Sequence, residues 1–232
     1  MPTIGFNTIT NSNHIHNIYN IKLASKKISF LKNNIIWDRT YNDPEDTMAL
    51  HRFGWLLELL VNEKNNVDKK ILLDWIEDWI KFQDKNKISI AWESYSVSER
   101  IVNWILFFCV IKSHIDIDQK LSLKIRDQFF YHLKYLALNL EFRGHKTNNH
   151  IINNARALYI GGQLLGIEFA KKIGKSIIIN ETDRLLSDGV LNEGSTHYQF
   201  LVTRNYLEIF WVAHKTRDDK LVFWLKSHLI NS

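Results

Sequence analysis

Cysteine is nearly missing from this chain. Cys109 stands alone among 232 residues, which excludes an intrachain disulfide. It lies in the apolar stretch Ile105-Leu106-Phe107-Phe108-Cys109-Val110, where a buried, inert thiol is expected rather than a nucleophile, and it leaves the redox compartment open. Proline occurs twice and glycine nine times, while leucine, isoleucine and aromatics recur throughout. That balance excludes a turn-rich β architecture and makes all-α the expected fold class. No stretch approaches the roughly 20 apolar residues of a membrane span. Met1 to His16 has neither a basic segment nor an apolar core of the kind a leader carries. No membrane span is therefore expected; the cytoplasm is the default compartment and the periplasm stays open. Basic runs are absent too. The net charge is +5, but lysines such as Lys22, Lys64, Lys81, Lys112 and Lys171 stand singly, which argues against nucleic acid as a partner. Long-range attraction to another polyanion, such as an acidic glycan, survives that argument.

What is present suits one large domain, with 45% hydrophobic and 24% charged residues. Residues 1–46 read as an irregular, extended lead-in, with β-like patches at Ile28-Ser29-Phe30-Leu31 and Ile35-Ile36-Trp37 and a turn at Asn42-Asp43-Pro44. Residues 47–232 read as a helical domain. Phe53, Leu56, Leu57 and Leu60 fall at i, i+3, i+4 and i+7, so a helix is expected over 47–63. Leu72, Trp75, Ile76 and Trp79 mark a second over 68–83. Ser96-Val97-Ser98-Glu99 has the form of a capping box and starts a third. Further helices are expected over 118–141, 148–165, 167–186, 195–214 and 218–229. Antiparallel helical pairs in series make either an α-solenoid or a closed α/α toroid, and periodicity does not separate them.

In such an array every second helix begins at the same end, so four helix starts share one rim. That rim gathers Trp37, Asp38, Arg39 and His51, then Trp92-Glu93-Ser94-Tyr95 with Arg100, then Asn148-Asn149-His150, and finally Glu193-Gly194-Ser195-Thr196-His197-Tyr198. The opposite rim holds ordinary turn residues. Helix starts favour anions through their free amides and dipole, and exposed tryptophan or tyrosine can stack on sugar faces. The plainer reading of each residue alone is core tryptophan and helix-end histidine. No histidine or cysteine pair has ligand spacing, so no metal and no cofactor is expected. Ser195 lacks the G-x-S-x-G elbow and reads as an N-cap.

Three blocks carry a family resemblance. Trp92 to Trp104 follows W-E-x-Y-x-x-S-x-R-I-x-N-W; Asn149 to Leu158 is similar to N-H-L-x-x-N-x-x-A-L; and Asp188-Gly189 precedes Glu193 to Tyr198. In this order and spacing they resemble the heparinase II/III-like polysaccharide lyases and related bacterial surface-polysaccharide proteins, over roughly residues 37–230. The resemblance implies an incomplete α/α toroid followed by an antiparallel β-sandwich. The sandwich, with the further histidine and structural zinc that it often brings, is expected to be absent from this chain and the toroid truncated. The implied chemistry is β-elimination at a uronic acid. Asn149 and His150 would neutralise the carboxylate and Tyr198 would act as base, acid or both. Arg100, Trp92, Tyr95, His197, Glu193 and His51 would bind substrate. A tyrosine moves protons near neutrality only with a cation or donor beside it, a need that His150 at a helix start fits.

Three functions stay open at this point: a lyase domain for an acidic, uronate-containing polysaccharide, incomplete as an enzyme unless a separate β-sandwich domain or chain joins it; a glycan-binding or polysaccharide-assembly module without chemistry; and a helical protein-interaction solenoid.

Overall fold

The computed structural model describes residues 18–31, 35–61, 67–85, 89–144, 147–187, 190–192 and 194–229. Strands β1 (Ile18–Lys22) and β2 (Lys27–Leu31) form an antiparallel hairpin with Ile18 opposite Leu31. Its inward face brings Tyr19 and Phe30 edge-on to Trp75, at 5.1 and 5.0 Å between ring centroids. The buried carboxylate of Asp46 accepts from the Ser25 amide at 2.7 Å and the Ser25 hydroxyl at 2.6 Å, which fixes the hairpin turn on the helical body. Ile35-Ile36-Trp37 makes no strand. Trp37 is instead buried, and its indole donates to Asp78 at 2.8 Å.

The first expected helix is in fact two. Helix α1 (Pro44–Arg52) begins earlier than its apolar stripe, because Asp43 caps it and Pro44 supplies a preset φ where no amide donor is needed. It stops at Phe53, which adopts the left-handed φ of 61°, and α2 (Gly54–Val61) starts at once. A phenylalanine in that region is costly. Its ring is fully buried and packs against both Trp37 and Trp55 while meeting Trp79 and Trp104 edge-on, so aromatic packing offsets the strain.

Helix α3 (Lys69–Lys85) buries Trp75, Ile76, Trp79 and Ile80. A 3-10 turn, Ser89–Trp92, leads into α4 (Ser94–Ile111), which starts before the expected capping box. The cap is Glu93, whose carboxylate accepts from the Tyr95 and Ser96 amides at 3.0 and 2.8 Å. A full negative charge on two free amides at the positive end of the helix dipole outcompetes the serine. Then follow α5 (Gln119–Leu138) and α6 (His150–Leu165), which Gly166 ends at φ 70°. Helix α7 (Glu168–Leu185) leads to the two-residue strands β3 (Leu186–Ser187) and β4 (Val190–Leu191), and α8 (Thr196–Lys215) and α9 (Asp219–Leu229) close the described chain.

Helices α4 and α6 are the centre of the assembly. The former packs on α1, α2, α5 and α6, the latter also on α7 and α8, and α9 pairs with α8. This is a mostly helical, open toroid of hairpins with very small sheets. Among the described residues α4 is the one helix long and apolar enough to cross a membrane, but 61% of that window is buried in this core. Cys109, on its outer side, is exposed, contrary to the expected buried thiol.

Helices α6 and α7 meet backbone to backbone. A Cβ at Gly174 would stand 2.5 Å from the Tyr159 nitrogen, and one at Gly162 would stand 2.2 Å from the Lys171 nitrogen. Neither neighbour can rotate away, since both are main chain. Gly174→Ala is expected to lower stability by about 2–3 kcal/mol through forced separation of the two helices. Urea unfolding checks this, and an unchanged midpoint would show that the contact is slack.

Candidate functional site

A cleft of about 660 Å³ opens on the rim formed by α1 and the N-terminal halves of α4, α6 and α8. Its lining follows helical faces. From α1 come Glu45, Met48 and Arg52, spaced i, i+3, i+7; from α4 come its cap Glu93 with Tyr95 and Glu99; from α6 come Asn149 and His150; from α8 come His197, Tyr198, Leu201 and Arg204.

Five of the sequence-predicted residues meet here: Asn149, His150, Tyr95, His197 and Tyr198. Asn149 is the buried residue preceding α6, and its side chain makes no cap hydrogen bond. His150 opens that helix. Its Nδ1 lies 2.9 Å from Glu141 Oε1, and its ring lies 4.9 Å from the Tyr95 ring. Tyr198 is 42% exposed, beside the ring of His197. Ser195 caps α8 as expected, accepting from the Tyr198 amide at 3.4 Å. Glu193 lies outside the described residues.

Three other expectations are corrected. Arg100 is fully buried and does not line the cleft. Its Nη1 donates to the carbonyls of His51 and Ala91, each at 2.9 Å, and its guanidinium lies over Trp79 at 4.4 Å and Trp92 at 5.4 Å. Burial lowers its pKa to about 9, which leaves it charged at neutral pH. His51 is also in the core, where its Nδ1 accepts from the Trp79 indole at 3.1 Å; burial and then Arg100 push it down to about 3, so it is neutral. Trp92 donates to Gln83 at 2.9 Å and packs among Tyr131, His132 and Tyr135, away from the cleft. The physical reason is helical phase. With Tyr95 on the cleft, the residue one turn on is Glu99, and Arg100 points about 100° further round.

The cations that do line the cleft are Arg52 and Arg204. Arg52 donates to Glu45 at 2.8 Å and to the Ser96 hydroxyl at 3.1 Å, and lies 4.9 Å over the Tyr95 ring. Arg204 donates to Glu99 at 2.8 Å. Buried Arg156 donates to the same oxygen at 3.0 Å and to Asn205 at 2.7 Å. Burial pushes the Glu99 carboxyl up, but Arg156, Arg204 and Arg52 outweigh it and hold it below its ordinary value. The signal for Arg204 was in the sequence: His197, Leu201 and Arg204 run i, i+4, i+7 behind Tyr198.

Glu93, Glu141 and His150 bring donor atoms within 4.8 Å of one another. Both oxygens of Glu93 already cap α4, and His150 Nδ1 is engaged by Glu141. His150 is thus ion-paired with Glu141, with the Glu93 carboxylate close by.

Fold and cleft together define a helical toroid domain with a groove at one rim that carries charged side chains. The chain belongs to the heparinase II/III N-terminus family, which matches residues 7–222. Among solved structures it is similar to the heparan sulfate lyase HepC from Pedobacter heparinus, at 16% identity and a TM-score of 0.69 over 88% of this chain and 34% of that one. It is similar also to heparinase III, at 22% identity and a TM-score of 0.64 over 84% and 30%. At these identities the likeness establishes the fold, and the chain spans about a third of the length of each. No curated protein sequence matches it.

The two arginines should separate by role. Arg100→Ala strands two buried carbonyls and leaves a cavity, so a loss of about 3–5 kcal/mol is expected. Arg204→Ala, at a side chain 41% exposed whose partner keeps Arg156, should cost only about 1 kcal/mol. Denaturant unfolding of both variants checks this, and equal losses would contradict the separation.

Proposed function

We propose that this chain forms the helical wall of a cleft for an acidic, uronate-containing polysaccharide and supplies Asn149, His150 and Tyr198 to β-elimination. The observation that carries the reading is the convergence of these three side chains, from two different helices, on one cleft that also holds Arg52 and Arg204. An amide and an imidazolium at a helix start suit a carboxylate, because both donate and the helix dipole has the right sign there.

The chemistry follows from that pairing. Neutralising the uronate carboxylate lets it accept electron density from the adjacent C5, which makes the C5 proton removable. Tyr198 takes that proton, hands a proton to the 4-linked glycosidic oxygen, or does both, and the bond breaks with a C4–C5 double bond left on the new end. Arg52 and Arg204 hold flanking anionic groups. A β-sandwich domain or chain of the kind implied by the family would close the other side of the groove.

Calorimetry with a heparan sulfate oligosaccharide tests recognition, and binding should disappear when its uronic carboxyls are reduced to alcohols. Ultraviolet absorbance of unsaturated ends tests turnover. Tyr198→Phe should lower that signal by at least about 100-fold while binding stays within roughly threefold, since only a proton-transfer group is lost. A variant as active as the native chain sinks the role of Tyr198. Binding with no unsaturated ends from either protein assigns the cleft to recognition without turnover.

A further inference from the structure

Glu141 lies outside the three sequence blocks and outside the cleft lining, yet it is the best-anchored group near it. It sits in the segment between α5 and α6, with its side chain 11% exposed. Its amide donates to Asn154 Oδ1 at 3.0 Å, and its Oε2 accepts from Asn154 Nδ2 at 3.1 Å. Asn154 is itself fully buried and also donates to Ser98 at 3.1 Å, so Glu141 is tied to α6 and α4 together. Its other oxygen, Oε1, takes the Nδ1 of His150. That contact places a proton on Nδ1 and leaves Nε2 as the nitrogen that responds to a ligand.

Charge in the cleft makes the state of this ring decisive. The lining carries three carboxylates, Glu45, Glu93 and Glu99, against two guanidiniums, Arg52 and Arg204. With His150 neutral the balance is therefore unfavourable to an anion, and a proton on His150 brings it level. The groups facing His150 are Glu141 and Arg143 from the preceding segment and Glu93 and Tyr95 from α4. Across the cleft stand Glu45 and Arg52 of α1, Glu99 of α4, and His197, Tyr198 and Arg204 of α8.

We propose that Glu141 is a positioning residue: it orients His150 and keeps it cationic, and so makes the grip of this cleft on an acidic glycan depend on pH. The ligand in this statement rests on the proposed function, whereas the coupling of Glu141 to His150 does not. The direction agrees with the electrostatics. The Glu141 hydrogen bond is the largest influence on His150 and raises its pKa above 6.5 despite burial; burial is the largest influence on Glu141 and raises it, but the hydrogen bonds from His150 and Asn154 and the charges of His150 and Arg143 together hold Glu141 below its ordinary 4.5. The sign for stability follows. The His150 contribution is full below 6.5 and is lost as pH rises through its raised pKa; the Glu141 contribution is full above 4.5 and is lost as pH falls through its lowered pKa.

The test uses the full chain, with the His150 ring followed by NMR across pH and a heparan sulfate oligosaccharide titrated at pH 6 and pH 8. Glu141→Gln keeps the shape and the bonds to Asn154, so the fold should persist. It is expected to lower the His150 midpoint by about one pH unit, and Glu141→Asp should restore most of it. The native chain should bind the oligosaccharide roughly tenfold more tightly at pH 6 than at pH 8, and Glu141→Gln should lose most of that difference. An unmoved His150 midpoint overturns the coupling, whatever the glycan does. A shifted midpoint with identical pH dependence of binding in both proteins overturns the role of Glu141 while the acidic-glycan reading stands. A shifted midpoint with no binding at either pH overturns the ligand and that reading, and leaves only an electrostatic pair.

Discussion

A buried, positively charged side chain held by main-chain carbonyls and indole faces governs the geometry of this domain. Arg100 holds the last turn of α1 through His51 O and the 3-10 turn before α4 through Ala91 O, from a position on α4 itself. Its charge is met by two carbonyl dipoles and by the faces of Trp79 and Trp92. Desolvating a guanidinium is expensive, and only fixed dipoles and aromatic faces in the right places offset it. The two residues flanking this joint are the cleft residues Arg52, next to His51, and Glu93, two residues after Ala91. Arg100 thus acts on the cleft without touching it, by fixing the relative height of α1 and the start of α4.

Two further buried polar joints complete the rim. Glu99 ties α4 to α6 through Arg156 and to α8 through Arg204. Asn154 ties α6 to α4 through Ser98 and to the α5–α6 segment through Glu141. Apolar packing alone lets helices slide along their ridges, whereas each of these joints has a single length and direction. The cleft side chains are consequently set by bonds made one layer below them. Asn154 beneath Glu141 and His150 is the clearest case.

Much of this was legible in the sequence, and for a physical reason. Apolar spacing located the helices because burial is what holds them, and the alternation of helix direction put the starts of α1, α4, α6 and α8 on one rim, where Asn149, His150, Tyr95 and Tyr198 do meet. The errors came where a local pattern competed with a tertiary bond. Ser96 looked like a cap, but Glu93 offers two acceptors and takes both amides. One long helix looked natural across Phe53, but the ring gains more by entering the aromatic core than the backbone loses by turning left-handed. Arg100 was expected to bind substrate because it stands in the block that carries the family resemblance, but helical phase turns it into the core while Tyr95 and Glu99 face the cleft.

The fold therefore carries less functional information than the cleft does. Identities of 16% and 22% accompany TM-scores of 0.69 and 0.64, so many sequences meet the packing requirements of this toroid. Those requirements are shape and burial, and they are indifferent to whether residue 198 can move a proton. The charge of the groove is the more selective quantity. Each cation on or beside it leans on a carboxylate: Arg52 on Glu45, Arg204 on Glu99 and His150 on Glu141. For the ligand proposed above, such pairing would give up some attraction for an anion in exchange for donors held in place before it arrives, the arrangement that favours a ligand of one shape over a ligand of merely the right sign.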